Sequence, residues 1–131
     1  MSGFQSPYYV GGNAAGWVLT DFVDSRPQTS SPATGGTCQI AFEQLPNDQR
    51  WLVDHAAVSC TSTTPTRLTW YDSTASPSYM LDFTDEGNLD VGEWANGLHV
   101  APGRSLLAVW TGCSAGAVAT VNLQARVLVR S

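Results

Sequence analysis

The sequence predicts an all-β protein: a single antiparallel β-sandwich, jelly-roll-like, with about eight strands and an extended N-terminal arm. Three observations support this fold class. Apolar residues alternate with period two in several short segments, turn-forming residues separate those segments, and no segment shows a helical period. A chain of 131 residues is long enough for one core and too short for two. We therefore expect an arm at residues 1–16 and one sandwich domain at residues 17–131.

The clearest strand signal lies near the end of the chain, between Ala117 and Arg130. There the alternation is almost without error, and Leu123 and Val127 fall on the predicted core face while Asn122 and Gln124 fall on the other. The preceding segment, residues 105–112, is apolar on both faces, as expected for a strand that is covered on both sides.

Short turn signals connect these last segments. Residues 113–116 are small and turn-permissive, and they predict a hairpin between the two strands. Pro102-Gly103 predicts a type II turn, because proline fixes φ and glycine tolerates a positive φ. Residues 98–130 are thus expected to form one antiparallel unit.

The earlier part of the chain contains weaker strand signals separated by polar stretches. Residues 24–37 and 84–97 are rich in turn formers and predict two long loops. The apolar phase slips near residues 54–57, which is typical of a β-bulge. The remaining predicted strands are residues 17–23, 38–45, 50–60, 67–71, 79–83 and 98–100.

Composition narrows the classes of partner. The net charge is −5, and the six basic residues are scattered arginines. Nucleic-acid binding needs clustered positive charge, so no nucleic-acid partner is expected. The first ten residues lack the features of a signal peptide, and no stretch approaches the ~20 apolar residues of a membrane span, so no membrane partner is expected.

One stretch matches a catalytic pattern: residues 112–116 read G-x-S-x-G, the nucleophile elbow of α/β-hydrolases. That motif requires a strand–turn–helix context with an acid and a histidine later in the chain. No Asp, Glu or His follows Ser114 in this sequence. We therefore expect no catalytic residues and no enzymatic activity.

Candidate metal ligands show no characteristic spacing. The run Asp82, Asp85, Glu86, Asn88 and Asp90 fits a solvated acidic loop, with a weak calcium site as the alternative. A zinc site from His55, His99 and a cysteine has no spacing support. The three cysteines lack CxxC spacing and are odd in number, so buried thiols are expected rather than disulfides. No metal site and no cofactor are predicted. The three cysteines are Cys38, Cys60 and Cys113.

Aromatic residues provide the candidate interface. Three tryptophans lie in apolar strand segments and are expected in the core: Trp51, Trp70 and Trp110. Trp17 and Trp94 adjoin loops, and exposed aromatic side chains suit protein interfaces or sugar stacking. The arm adds apolar side chains in a glycine-rich segment that cannot form its own core. The candidate interface residues are Phe4, Tyr8, Tyr9, Val10, Trp17 and Trp94.

From residue 50 to residue 127 the sequence resembles small virion structural proteins of tailed bacteriophages that infect actinobacteria. The resemblance lies in RWLVDHAAVSC, RLTWY, LDFTDEGNLDV and HVAPGRSLLAVWTGCSAGAVATVNLQARV. Its most specific parts are D-x-T-x-x-G-x-x-D at Asp82–Asp90 and V-x-x-G-x-x-L-x-x-x-W-x-G from Val100 to Gly112.

The resemblance implies a non-catalytic β-sandwich on the particle exterior. The expected function is a capsid decoration or cement protein, homotrimeric, in contact with the phage major capsid protein or another virion subunit. It would be located in the virion after assembly in the host cytoplasm. The alternatives are a head–tail or tail-associated structural protein and a glycan-binding module that uses Trp17, Trp94 or nearby tyrosines.

The first testable prediction concerns the arm. A variant lacking residues 1–16 should keep nearly the same melting temperature but lose oligomerisation or particle binding, because the arm's apolar side chains would dock on a neighbouring subunit. Thermal melting and sedimentation of the truncated chain measure both quantities. If the truncated domain unfolds, the arm belongs to its own sandwich as an edge strand.

Overall fold

The computed structural model describes residues 16–130. Within this range it contains eight strands, as predicted, and a single 3-10 turn at Pro77–Tyr79 that precedes the fifth strand. The strands are β1 (Trp17–Thr29), β2 (Thr37–Ala41), β3 (Gln49–Cys60), β4 (Arg67–Asp72), β5 (Met80–Thr84), β6 (Leu89–Val100), β7 (Leu106–Thr111) and β8 (Ala119–Arg130).

The strands form two four-stranded antiparallel sheets. The first sheet has the order β1-β8-β3-β6, and the second has the order β2-β7-β4-β5. Apart from the β4–β5 hairpin, each strand is followed by a strand of the opposite sheet. This is the strand order of a jelly roll. The predicted all-β sandwich is confirmed.

The core face of β8 agrees with the sequence pattern. Leu123 is 0% exposed, whereas its neighbour Gln124 is exposed. The predicted bulge in β3 is also confirmed, because the register shifts between Val53 and His55 against both neighbouring strands. The core-facing residues of β3 accordingly change from odd to even positions across the shift.

The predicted tryptophan core and the fully covered β7 are confirmed as well. All residues from Leu106 to Trp110 are buried, and so are Trp51 and Trp70. The indole N–H of Trp110 donates a hydrogen bond of 2.9 Å to the carbonyl of Gly87, so this buried polar group is satisfied.

The type II turn at Pro102-Gly103 is observed. Gly103 has a φ of +74°, and the Arg104 N–H donates a hydrogen bond of 3.1 Å to the Ala101 carbonyl. This turn reverses the chain between β6 of the first sheet and β7 of the second.

The predicted hairpin at residues 113–116 is wrong. β7 pairs with β2 and β4, whereas β8 pairs with β1 and β3, so this connection crosses from one sheet to the other. The physical reason is that small, turn-permissive residues allow either a hairpin or a crossing connection, so the pairing of β7 with β2 and β4 decides which sheet it joins. The connection itself packs inward, since Cys113 and Ala117 are buried.

Two predicted loops contain strand residues that the sequence did not indicate. β1 continues through residues 24–29, and β6 includes residues 89–97. Both are edge strands, and an edge strand tolerates Pro27 because its amide side needs no partner. Edge strands are also exposed on much of their surface, so their polar sequences resemble loops.

Among residues 16–130, no helix has the length and apolar character required to cross a bilayer.

The second prediction tests the faces of β8. Leu123→Asp places a carboxylate in the core without a partner and should lower the free energy of unfolding by at least about 3 kcal/mol. Gln124→Asp introduces the same residue one position along, on the exposed face, and should change it by no more than about 0.5 kcal/mol. Urea unfolding measures both variants, and equal destabilisation would contradict the assigned faces.

Candidate functional site

Most of the exposed large apolar side chains lie along one edge of the sandwich. Among the described residues, six of the eight such side chains belong to the 3-10 turn, β5 and β6, while the other two, Leu19 and Phe22, lie on β1. We refer to this set of six as the apolar edge. Its members are Tyr79, Met80, Leu81, Phe83, Leu89 and Val91.

β5 and β6 end their sheets on the same side, and side-chain hydrogen bonds connect them. Thr84 Oγ1 donates to Asp90 Oδ2 at 2.7 Å. The indole N–H of Trp94 donates to Asp82 Oδ2 at 2.9 Å. The two edge strands therefore form one continuous surface across the opening of the sandwich.

The apolar edge is strongly exposed. Leu89 is 79% exposed and Val91 is 54% exposed, although leucine and valine side chains are usually buried. Apolar side chains of this size each contribute about 1.5–3 kcal/mol when they are fully buried. Exposed strand edges with apolar side chains are typical of surfaces that associate with other chains.

Arginine side chains hold the aromatic members of this edge. The guanidinium carbon of Arg67 lies 4.6 Å from the ring centroid of Phe83, and its Nε donates to Asp85 at 2.7 Å. The guanidinium carbon of Arg104 lies 5.6 Å from the ring centroid of Tyr79. These contacts restrict the rotamers of exposed rings, which lowers the entropy cost of burying them in an interface.

A small cavity lies between the two edge strands. Its volume is about 210 Å³, and its lining includes the carboxylates of Asp82, Asp90 and Glu93. Asp82 and Asp90 accept the hydrogen bonds described above, and Glu93 lies 3.6 Å from Nδ1 of His55. Each carboxylate therefore has its own protein neighbour.

Trp94 also lines this cavity. Its ring packs edge-to-face on Trp70, with centroids 5.8 Å apart and an interplanar angle of 87°. With its N–H bonded to Asp82, the indole is fixed at the mouth of the sandwich. Trp94 is partly buried.

Trp17, the second tryptophan of the predicted interface, is only 6% exposed. The guanidinium carbons of Arg50 and Arg130 lie 4.3 Å and 5.0 Å from its ring centroid. Trp17 lines a cleft of about 580 Å³ on the outer face of the first sheet, together with Leu52 and Leu128.

The other predicted interface residues belong to the arm. Phe4, Tyr8, Tyr9 and Val10 lie outside the described residues, as does the arm apart from Gly16. Their role in an interface stays a prediction.

The acidic run is distributed over separate contacts. Asn88 accepts a hydrogen bond of 2.6 Å from Thr66 Oγ1, and its amide nitrogen donates to the carbonyls of Ser62 and Thr64 at 3.3 Å and 3.0 Å. Among residues 16–130, no three acidic side chains converge as metal ligands do. The run thus shapes the β5–β6 connection.

The two histidines also lie apart from any ligand cluster. His55 and His99 pair with Glu93 and Leu52 across the β3–β6 ladder, and neither joins a group of three ligand atoms among residues 16–130.

Ser114 lies in the connection between β7 and β8. Its hydroxyl accepts a hydrogen bond of 2.9 Å from the Thr63 N–H, and its own N–H donates to Ser62 Oγ. Within the described range, no histidine or carboxylate side chain is hydrogen-bonded to it. These contacts are those of a turn, and the absence of catalysis stays a prediction.

The three cysteines come together, which their spacing in the sequence did not predict. Cys38, Cys60 and Cys113 are all buried, and their Sγ atoms lie within 4.8 Å of one another. Burial raises the pKa of the Cys113 thiol to about 12, and the neighbouring Cys38 thiol adds to the increase. All three are free thiols, as expected.

No protein-family model matches the chain, and no curated protein matches it. Similar solved structures include a chain of the capsid of Helicobacter pylori bacteriophage KHP30, with 10% identity, a TM-score of 0.49 and coverage of 84% of this chain and 90% of that one.

Two further similar structures come from cellular proteins. PliG of Aeromonas hydrophila, a periplasmic inhibitor of g-type lysozyme, has 12% identity, a TM-score of 0.38 and coverage of 79% and 86%. The C-terminal CBM6 of LamC from Zobellia galactanivorans has 8% identity, a TM-score of 0.36 and coverage of 86% and 93%. With TM-scores below 0.5, these likenesses carry no argument about what this chain does.

The third prediction concerns Asn88. Asn88→Ala removes three hydrogen bonds and should lower the free energy of unfolding by about 1–3 kcal/mol, because Thr66 and two carbonyls lose their partner. Asp85→Ala, whose exposed ion pair contributes at most about 1 kcal/mol, is the control.

Millimolar calcium should leave the wild-type melting temperature unchanged; a clear increase would support the calcium alternative.

Proposed function

We propose that this chain is a non-catalytic structural subunit of a tailed bacteriophage virion, with an actinobacterial host. It acts as a capsid decoration protein on the particle exterior and assembles as a homotrimer. Its partners are copies of itself and the major capsid protein or another virion subunit. It is located in the virion, which is assembled in the host cytoplasm. The observation that carries the proposal is the apolar edge.

Burial of the apolar edge against a protein partner would offset part of the cost of association. Its side chains are about half exposed, and covering six of them contributes several kcal/mol from burial alone. Association costs about 4–15 kcal/mol in lost translational and rotational freedom. A contact that also pairs the free backbone edge of β5 or of the 12-residue β6 adds hydrogen bonds to the burial term.

The second apolar surface supports a ring arrangement. Leu19 and Phe22, the other two exposed large apolar residues among residues 16–130, lie on β1 at the opposite end of the first sheet from β6. A cyclic trimer requires contact between two different surfaces, because a self-complementary surface gives a dimer. Contact of the apolar edge with the β1 edge of the next copy meets this requirement.

The residues that carry the family resemblance support the fold on which this proposal rests. In D-x-T-x-x-G-x-x-D, Asp82 bonds Trp94, Thr84 bonds Asp90, and Gly87 accepts the hydrogen bond of Trp110. These are structural roles at the junction of β5 and β6. The resemblance thus falls on the segment that builds the apolar edge.

The second motif, from Val100 to Gly112, contains core and turn positions of the fold. Val100, Leu106 and Trp110 are buried, while Gly103 and Gly112 have positive φ values of 74° and 82°. The motif therefore fixes the turn and core positions around β7, and it contains no chemistry of its own.

The glycan-binding alternative has no comparable observation in its favour. Sugar stacking needs an exposed ring face. Trp17 is buried beside Arg50 and Arg130, and Trp94 packs against Trp70. The buried Trp17 therefore offers no free ring face, whereas the partly exposed Trp94 and the 43% exposed Tyr79 are the aromatic side chains that this alternative would use.

The fourth prediction tests the apolar edge. Phe83→Ser combined with Val91→Ser should reduce self-association at least tenfold while leaving the melting temperature of the isolated domain almost unchanged, because both side chains are exposed within one subunit. Sedimentation equilibrium measures the association, and Gln124→Ser, on the exposed face of β8, is the matched control.

A second variant distinguishes the arrangement of subunits. Phe22→Ser should weaken association similarly if the ring contact is correct, and it should have no effect if the apolar edge pairs with itself. A wild-type chain that stays monomeric and does not bind phage particles would contradict the proposed function.

A further inference from the structure

The three buried cysteines, which we call the thiol triad, come from distant parts of the fold. Cys38 lies in β2 of the second sheet, Cys60 ends β3 of the first sheet, and Cys113 lies in the connection from β7 to β8. All three side chains point into the same region, with every pair of Sγ atoms within 4.8 Å. The triad therefore spans the two sheets.

The surroundings of the triad are almost entirely apolar. The Cys38 thiol donates to the Ala117 carbonyl at 3.3 Å, and the Cys113 thiol donates to the Trp110 carbonyl at 3.6 Å. The three cysteines belong to the same buried hydrophobic cluster as Ala33 and Ala119. The three sulfur atoms are thus close together, although packing a hydrophobic core does not require cysteine side chains to contact one another.

We propose that the thiol triad binds one thiophilic divalent cation of the zinc class, which clamps the two sheets together. Sulfur ligands at ~2.3 Å from a common zinc ion are ~3.8 Å apart in a tetrahedral arrangement. The triad is within 1 Å of this spacing. Small rotamer adjustments are enough to bring the three sulfur atoms to bonding distance.

The charge balance selects a divalent ion. Binding breaks three S–H bonds, forms three metal–sulfur bonds and releases three protons to the buffer, with no change in oxidation state. A divalent ion with three thiolates leaves one net negative charge in the core, whereas a monovalent ion leaves two. Because an unpaired buried charge is costly, the divalent ion is favoured.

The fourth ligand position has a nearby candidate. The Ala117 carbonyl accepts from both the Cys38 thiol at 3.3 Å and the Ala33 N–H at 2.8 Å. Once Cys38 loses its proton, the thiol no longer donates, and one acceptor position of that oxygen becomes free. Structural zinc sites are almost always four-coordinate. The Ala117 carbonyl thus offers the oxygen that could complete the shell.

A disulfide explains the arrangement less well. It would join two of the three sulfur atoms at ~2.05 Å and leave the third without a role. It would also require an oxidant. Metal binding uses all three cysteines and needs none.

Cadmium is the probe for the test, because its thiolate bonds absorb in the near ultraviolet. The full-length wild-type chain, first treated with a chelator and kept reduced, is titrated with Cd²⁺. We expect one Cd²⁺ per chain, a higher melting temperature, and a lower apparent Cd²⁺ affinity when Zn²⁺ is present as a competitor. No thiolate absorption, or more than one ion per chain, would overturn the proposal and leave the cysteines as core side chains.

Two variants locate the site. Cys60→Ala should weaken Cd²⁺ binding at least tenfold, whereas Ser114→Ala, beside Cys113 in the same connection, should leave it unchanged. If Cys60→Ala does not fold, X-ray absorption of the zinc-loaded wild-type chain counts the ligands directly. Three sulfur neighbours are expected, and fewer than three would overturn the assignment.

Discussion

The buried face of β8 is the constraint on which the first sheet depends. This strand pairs with β1 along one side and with β3 along the other. Its core residues Val121 and Leu123 are completely buried. Because side chains alternate with period two, a slip of one residue would turn this whole face to solvent. The register shifts therefore occur in β1 and β3, where one or two extra residues are accommodated, while β8 stays regular.

The sequence reveals those features that a strand carries within itself. The alternation of β8, the two-sided apolar character of β7 and the phase slip in β3 all follow from local patterns of burial. The partner of a strand does not follow in this way. The connection at residues 113–116 has the composition of a hairpin turn, but β7 and β8 belong to opposite sheets, since pairing is decided by the other six strands.

The edge strands were underestimated for a related reason. β1 and β6 are only partly buried, so they lack the alternation that identifies a strand with one covered face. Leu89 and Val91 lie in a segment of polar residues and turn formers, and nothing local marks them as exposed members of an edge. Only the topology, which places β5 and β6 side by side, shows that they share a surface. The thiol triad was missed likewise, because Cys38, Cys60 and Cys113 meet only through the crossing connections of the jelly roll.

The proposal that this chain is a virion subunit rests on a buried core combined with an exposed apolar edge. Hydrogen exchange of the full-length chain tests this most directly, by comparing the amides of the assembled form with those of the dissociated form. The account predicts increased protection in β5 and β6 on assembly, with little change in β8, which is already central. Unchanged exchange in β5 and β6, with new protection confined to other surfaces, would contradict it.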